Sequence, residues 1–188
     1  MAAALVSLSF FKPGRLLLDP FCGSGTIAIE AAMMARNIAP GLSRRFDCSW
    51  WENIPRELWK EEKALAFKAI DHEAQFKITA SDIDPQAVRA AQKNAQEAGV
   101  DDCIEFKICD VKDISGAKGI KKSLSSASDG IDTHHGVIIA NPPYGIRVGE
   151  AEALPGIYES LRRFIADNPA WSLFLITSDK TFENAMGR

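Results

Sequence analysis

The sequence has no large excess of charge of either sign and no long apolar segment. Its 25 acidic and 22 basic residues give a formal net charge of −3 over 188 residues. A domain that holds nucleic-acid phosphates by itself is usually basic, because counterion release supplies most of the affinity. The apolar runs are broken by glycine or charged residues well before the roughly 20 residues that a membrane span needs. The sequence therefore predicts no membrane segment, and a polyanionic partner would need local basic patches or a further domain.

Cysteines are few and scattered along the chain. Cys22, Cys48, Cys103 and Cys109 form no C-x-x-C pair, and no histidine lies near them at metal-ligand spacing. The apolar start, Met1–Val6, lacks the basic residues and the cleavage site of a secretory signal, so we expect it to be the stub of a helix instead. We therefore expect one compact, reduced, metal-free and cytoplasmic domain.

Strand-like and helix-like segments alternate, which is typical of an α/β fold with a mainly parallel sheet. Asp84 and Pro85 predict the start of one helix, and Gly99 predicts its end. We expect five strands in the order 3-2-1-4-5, with the ligand crevice at the carboxyl ends of strands one and four. The predicted strands are 15–19, 77–81, 104–108, 136–140 and 171–176, and the predicted helices are 26–36, 84–98 and 155–167.

Two segments interrupt this alternation. Residues 37–72 carry Arg44 and Arg45, three of the four tryptophans and a helix expected from Pro55. We interpret 37–72 as an insertion; its tryptophans suit stacking on bases, although tryptophans are more often found in a core. Residues 115–135 are rich in glycine, serine and lysine, and this composition predicts a mobile surface loop.

A glycine-rich turn follows the first predicted strand. In the segment Asp19-Pro-Phe-Cys-Gly-Ser-Gly-Thr26, Gly23 and Gly25 let the backbone approach a ligand closely, and the next helix begins with unpaired N–H groups. Gly23–Ala28 also matches the dinucleotide pattern G-x-G-x-x-A, which by itself is a weak signal. No Lys-Ser or Lys-Thr pair follows the glycines, and this excludes a P-loop. The turn predicts a ligand site at the carboxyl end of the strand.

The acidic residues around this turn favour S-adenosylmethionine over a dinucleotide. Asp19 would repel a pyrophosphate but suits an ammonium group, and Asp82 comes far later than the roughly 20 residues expected in a dinucleotide fold. We expect Asp82 to accept both ribose hydroxyls and Asp110 to accept from the adenine amino group. The residues predicted to bind this cofactor are Asp19, Pro20, Phe21, Gly23, Ser24, Gly25, Thr26, Asp82, Ile83 and Asp110.

The turn Asn141-Pro-Pro-Tyr144 directly follows the fourth predicted strand. An exocyclic amine is a poor nucleophile, because its lone pair is delocalised into the ring. The Asn141 side-chain oxygen and the Pro142 carbonyl can accept hydrogen bonds from the two N–H groups of the amine and so direct its lone pair at a methyl group. Pro142 and Pro143 stiffen the turn, and Tyr144 offers a face for a flipped base. These four residues are therefore the predicted catalytic residues, acting mainly through orientation.

Together these motifs resemble the methyltransferase domain of THUMP-containing RNA methyltransferases. The resemblance rests on Asp19–Ala32, Asn37–Gly41, Ser81–Pro85 and Asn141–Gly145, and it spans nearly the whole chain. These proteins resemble bacterial 23S ribosomal RNA guanine-N2 methyltransferases, often described as N6-adenine-specific DNA methylases. The resemblance implies S-adenosylmethionine as donor, guanine N2 in ribosomal RNA as target and a Rossmann-like methyltransferase fold.

Members of this family begin with an RNA-gripping THUMP domain and end with a further β-hairpin. The resemblance therefore implies that residues 1–188 form a partial methyltransferase domain, truncated before the final hairpin, with the RNA gripped mainly elsewhere. This expectation agrees with the slightly acidic net charge.

Two other substrates fit the same motifs. A DNA adenine-N6 methyltransferase would use the Asn141–Tyr144 turn on another base. A protein glutamine methyltransferase would present a similar planar NH₂ group to it. The arginines and tryptophans of residues 37–72 favour a nucleic acid over a protein substrate.

Overall fold

The computed structural model describes residues 1–114, 131–143 and 150–187. Five strands form one sheet in the order β3-β2-β1-β4-β5, and every neighbouring pair is parallel. The α/β class and the strand order predicted from the sequence are thus confirmed. The strands are β1 Arg15–Asp19, β2 Lys77–Asp82, β3 Ile104–Ile108, β4 Asp132–Ala140 and β5 Trp171–Leu175.

The described helices flank the sheet on both faces. None of them is long and apolar enough to cross a membrane. Short 3₁₀ turns at 47–50, 101–103 and 111–113 complete the regular structure of the described residues. The helices are α1 Ala2–Leu8, α2 Thr26–Ala35, α3 Arg56–Lys68, α4 Pro85–Ala98, α5 Glu150–Asp167 and α6 Phe182–Ala185.

The central strands are apolar on both faces, as expected for a parallel sheet covered on both sides. Leu17 of β1 packs into a core with α1, α2 and α4, whereas Leu16 and Leu18 pack into a second core with α5. Both cores therefore meet on β1 and β4, and the ends of these two strands are held firmly in place.

Helix α4 begins and ends as its sequence predicts. The Asp84 side chain accepts from the Gln86 N–H at 2.8 Å, and Gly99 adopts the left-handed conformation at φ 70°. Its buried face carries Val88, Ala91 and Ala95. Small side chains on this face let α4 lie close to α2, which fixes the start of α2 beside the second strand.

Two boundaries differ from the prediction by more than one residue. Helix α5 begins at Glu150 and contains Pro155 inside it, whereas the sequence suggested a start at Pro155. Leu154, which precedes the proline, is buried in the second core, and this packing holds the extra turn in place. Strand β4 begins at Asp132, and its pairing with β1 is irregular beside Arg15. The loop predicted for 115–135 is therefore wrong for residues 132–135. Residues 115–130 lie outside the described residues.

Candidate active site

The carboxyl ends of β1, β2 and β4 bring the predicted site residues together. Asp19 ends β1 and lies opposite Ala80, two residues before Asp82. On the other side, Leu18 pairs with Ile138, so continuing this register places Asn141 two residues beyond the position opposite Asp19. Asp82 and Asn141 thus flank the end of β1 on its two neighbouring strands.

The glycine turn is tied to the end of β2 by its backbone. Cys22 N–H donates to the Ser81 carbonyl at 2.8 Å, and Gly23 N–H donates to Asp82 Oδ2 at 3.0 Å. A Cβ added at Gly23 would meet no atom within 4 Å, whereas one at Gly25 would lie 3.0 Å from Ala91 Cβ. Gly25 is therefore required by packing, while Gly23 borders an open space beside the turn.

Asp19 is a fully buried carboxyl group with an incomplete set of partners. Its Oδ1 accepts from the Phe21 N–H at 3.3 Å, and its Oδ2 has no hydrogen-bond partner among the described residues. Burial raises its pKa to about 7; the Phe21 hydrogen bond opposes this and the Asp82 charge adds to it. A ligand ammonium beside Oδ2 would supply the missing partner and favour the ionised form.

Asp82 is half-buried between the turn and α4. Its Oδ2 accepts from Gly23 N–H, and its Oδ1 accepts from Asp84 N–H at 2.9 Å. Each oxygen has capacity for a further hydrogen bond, so the side chain can still accept a pair of hydroxyls. Ile83 beside it is 66% exposed, and Ile108, which pairs with Asp82 from β3, is 61% exposed. These two side chains offer an apolar surface of the kind that an adenine ring can cover.

Asp110 has a structural partner that the sequence analysis did not assign. Its Oδ1 accepts from the Lys112 N–H at 2.9 Å and so caps the short turn Val111–Asp113. Ile108 was missed by the sequence analysis. The available signal was its position as the last residue of an edge strand, two residues before Asp110.

The Asn-Pro-Pro turn leaves the sheet directly from β4. Ile176 N–H donates to the Ala140 carbonyl at 3.1 Å, which continues the β4–β5 pairing up to the turn. Asn141 is exposed, Pro142 is buried and Pro143 is half-buried. The turn therefore has a fixed base in the core and an accessible amide at its first residue. Tyr144 lies outside the described residues.

The residues present fit S-adenosylmethionine. A buried carboxylate lacks a cation, a second carboxylate has spare acceptor capacity, and open space lies beside Gly23. The same turn contains Pro20, Phe21, Ser24 and Thr26. The hydroxyl oxygens of Ser24 and Thr26 lie 3.2 Å apart. The Ser24 carbonyl accepts a hydrogen bond from Asn94 Nδ2 at 2.9 Å. The turn is thus held from β2 and from α4 at once.

Comparison with known proteins identifies the family. The model of the RMKL-like methyltransferase domain matches residues 1–188. "Putative RNA methyltransferase YpsC" of Bacillus subtilis (strain 168) is 40% identical over 188 residues, which is all of this chain and 45% of that protein. "Ribosomal RNA large subunit methyltransferase K/L" of Shewanella baltica (strain OS185) is 38% identical over 168 residues, which is 87% of this chain and 22% of that protein.

A solved structure agrees with these relatives. The crystal structure of SMU.472, "a putative methyltransferase complexed with SAH", superposes with a TM-score of 0.86 at 35% identity and covers 100% of this chain and 46% of that one. This chain therefore spans less than half the length of these three proteins. It belongs to the family of RMKL-like methyltransferase domains.

Proposed function

We propose that the chain methylates an exocyclic amino nitrogen of an RNA base, with guanine N2 of large-subunit ribosomal RNA as the target. The observation that carries the proposal is the position of Asn141 and Pro142 at the end of β4. This position is beside the end of β1, where the glycine-rich turn Asp19–Thr26 begins; we call it the donor turn, after the methyl donor. The names of the B. subtilis and S. baltica relatives support an RNA substrate. The proposal places the protein in the cytoplasm, together with its RNA.

S-adenosylmethionine supplies an electrophilic methyl group on a sulfonium. We assign Asp19 to the donor ammonium and Asp82 to the ribose hydroxyls. The Asn141 amide oxygen and the Pro142 carbonyl accept hydrogen bonds from the two N–H groups of the target amine, so that its lone pair is directed at the methyl group. Tyr144 remains a predicted stacking residue. No strong base is required, because the methylated nitrogen becomes acidic, and orientation provides most of the acceleration.

The RNA is proposed to be held mainly outside these 188 residues. The net charge of −3 gives little general attraction for phosphates. The relatives are more than twice as long as this chain, which leaves room in them for a domain with that task. In this division of labour, residues 1–188 bind the donor and carry out the transfer.

Asn141→Ala tests the catalytic assignment in the protein as it occurs in the cell. Its methyl transfer to ribosomal RNA at saturating donor should fall by about 100-fold or more, because only orientation of the amine is lost. Donor affinity should change little, since Asn141 follows a different strand from the donor turn. Asn168→Ala, which removes an amide just before β5 and therefore at the amino ends of the strands, is the matched control.

The product identifies the substrate. RNA, DNA and protein pools are incubated with labelled donor, and the RNA is digested to nucleosides. N2-methylguanosine supports the proposal, whereas N6-methyladenine in DNA or methylglutamine in protein would replace it. Transfer by Asn141→Ala at the rate of Asn168→Ala would show that the catalytic assignment is wrong.

A further inference from the structure

Residues 44–63 form a surface of aromatic rings and basic side chains, which we call the aromatic–basic platform. Trp50 is 65% exposed and Trp51 is 58% exposed, although tryptophans are more often found in a core. Trp59 is half-buried and packs edge-on against Phe46 at 5.8 Å between ring centroids. Two indole side chains are thus presented to solvent.

Arginines of the platform are held by rings and not by carboxylates. The Arg56 guanidinium lies 5.3 Å from the centre of the Trp50 ring, and that of Arg44 lies 5.6 Å from the centre of Phe46. Elsewhere, Arg36, Arg162 and Arg163 pair with aspartate or glutamate. Within the described part of the chain, the platform cations form no ion pair; they are Arg44, Arg45, Arg56, Lys60 and Lys63.

Three cations of helix α3 share one face. With 100° per residue, Arg56, Lys60 and Lys63 fall within about 60° of one another. Glu57, Glu61 and Lys68 lie on one side of this face, and Glu62 lies on the other. The basic face is the one that meets the preceding loop, because Lys63 Nζ donates to the Arg44 carbonyl at 3.3 Å. Three cations of α3 therefore share the face that meets this loop, although residues 44–63 also contain five acidic residues, so their charges sum to zero.

The segment that carries the platform joins the rest of the fold at the end of α2. Asp71 N–H donates to the Arg36 carbonyl at 2.8 Å, and Asn37 Nδ2 donates to the Ala69 carbonyl at 2.9 Å. Both bonds lie at the end of α2, whose ten residues span about 15 Å from the donor turn. The segment that carries the platform therefore joins the fold at the opposite end of α2 from the glycine turn.

From these contacts we infer that the aromatic–basic platform binds single-stranded RNA that flanks the target nucleotide. The inference rests on the proposed RNA substrate. Bases stack on Trp50 and Trp51, and the cations beside them contact phosphates, which is the arrangement that binds single strands without reading their sequence. Arg56 serves both roles, because its guanidinium can extend the stack and still donate to a phosphate.

The test measures RNA binding directly on the 188-residue chain. Fluorescein-labelled decauridylate, which cannot pair with itself, is titrated at 50 and 200 mM salt and followed by anisotropy. Trp50→Ala should weaken binding about fivefold or more, the effect of losing one stacked base. The double variant Arg44→Gln/Arg56→Gln should lower the slope of log affinity against log salt by about 1.4, for two phosphate contacts.

The controls lie on the other faces of α3. Leu58→Ala removes an apolar side chain that is 48% exposed, and Glu61→Gln removes an exposed charge; neither should weaken RNA binding. Equal losses in Leu58→Ala and Trp50→Ala would overturn the inference, and so would wild-type affinity in Trp50→Ala. The second result would leave this surface to a protein partner.

Methyl transfer by the whole protein separates this inference from the proposed function. Trp50→Ala should raise the RNA concentration needed for half-maximal rate and leave the rate at saturating RNA unchanged. If decauridylate binding depends on Trp50 but no RNA is methylated, the proposed function alone fails. If RNA is methylated and Trp50→Ala behaves as wild type, the platform inference alone fails.

Discussion

Asp19 ends the central strand with a carboxyl group that is shielded from water, and burial raises its pKa to about 7. The native state therefore holds this proton between about pH 4 and pH 7, where the unfolded chain has released it. Under linkage, the free energy of unfolding falls as pH rises through this window, by up to about 1.4 kcal/mol per pH unit, and levels off above it.

We expect urea unfolding between pH 4.5 and 8 to show this fall in the wild type relative to Asp19→Asn, whose amide does not ionise. Saturating S-adenosylhomocysteine should flatten the difference, because its ammonium would stabilise the ionised carboxylate. Parallel pH profiles for the two proteins without ligand would contradict the assigned pKa. A fall that persists unchanged with ligand would remove Asp19 from the ammonium site.

Asp82 and Asp84 form a matched pair for testing the donor site. Asp82→Asn should weaken binding of S-adenosylhomocysteine by about 1.5–3 kcal/mol, the range for hydrogen bonds to a charged group. Asp84→Asn should bind normally, because asparagine caps a helix as well as aspartate does. Isothermal titration calorimetry gives both values. Similar affinities in the two variants would show that the ribose assignment is wrong.

The donor turn packs against helices α2 and α4. Its two glycines, Gly23 and Gly25, have separate roles. Gly25→Ala would press a Cβ to within 3.0 Å of Ala91 Cβ at a φ of 85°, so we expect a loss of stability of about 2 kcal/mol or more. Gly23→Ala meets no neighbour at a φ of 52° and should cost only about 1 kcal/mol.

Donor binding should reverse this order. The Cβ at Gly23 would enter the open space proposed for the donor, so Gly23→Ala should lose affinity for S-adenosylhomocysteine while it stays folded. Chemical denaturation and calorimetry on both variants separate the two effects. Wild-type donor affinity in Gly23→Ala would place the donor elsewhere.

For helices and strands, the sequence predicted the type of each element more reliably than its first and last residues. Continuous apolar runs such as Leu16–Leu18 and the cap residues of α4 determine their elements locally, so these were found correctly. The starts of β4 and α5 depend on packing partners distant in sequence. Polar residues such as His134 carry no strand signal, and Pro155 suggested a helix start that burial of Leu154 overrides.

For the whole molecule, ligand selectivity follows from the charge at the ends of the strands. Binding to the native state alone stabilises a protein by about 2.7 kcal/mol at a ligand concentration 100 times its Kd. S-adenosylhomocysteine should therefore raise the melting temperature in a concentration-dependent way. NAD should not, because the Asp19 carboxylate opposes its pyrophosphate. Thermal scans with equal concentrations of the two ligands check this, and stabilisation by NAD alone would contradict the site.

The grouping of the candidate site residues was predictable because they lie at strand ends, where sequence position fixes location. A parallel sheet of known order brings Asp19, Asp82 and Asn141 to one edge without any knowledge of side-chain contacts. Contacts within the site were not predictable in this way. The bond from Gly23 to Asp82 and the capping role of Asp110 depend on backbone geometry in the turns, which composition does not specify.

The two ends of the segment 37–71 are joined by hydrogen bonds at the end of α2. A segment that leaves and re-enters a fold at one point can change in length or sequence without moving the strands on either side of it. Substrate preference could therefore diverge within this segment while the donor site stays the same. Under the proposed function, exchange of the segment between two members of the family would be a direct route to altering which RNA is methylated.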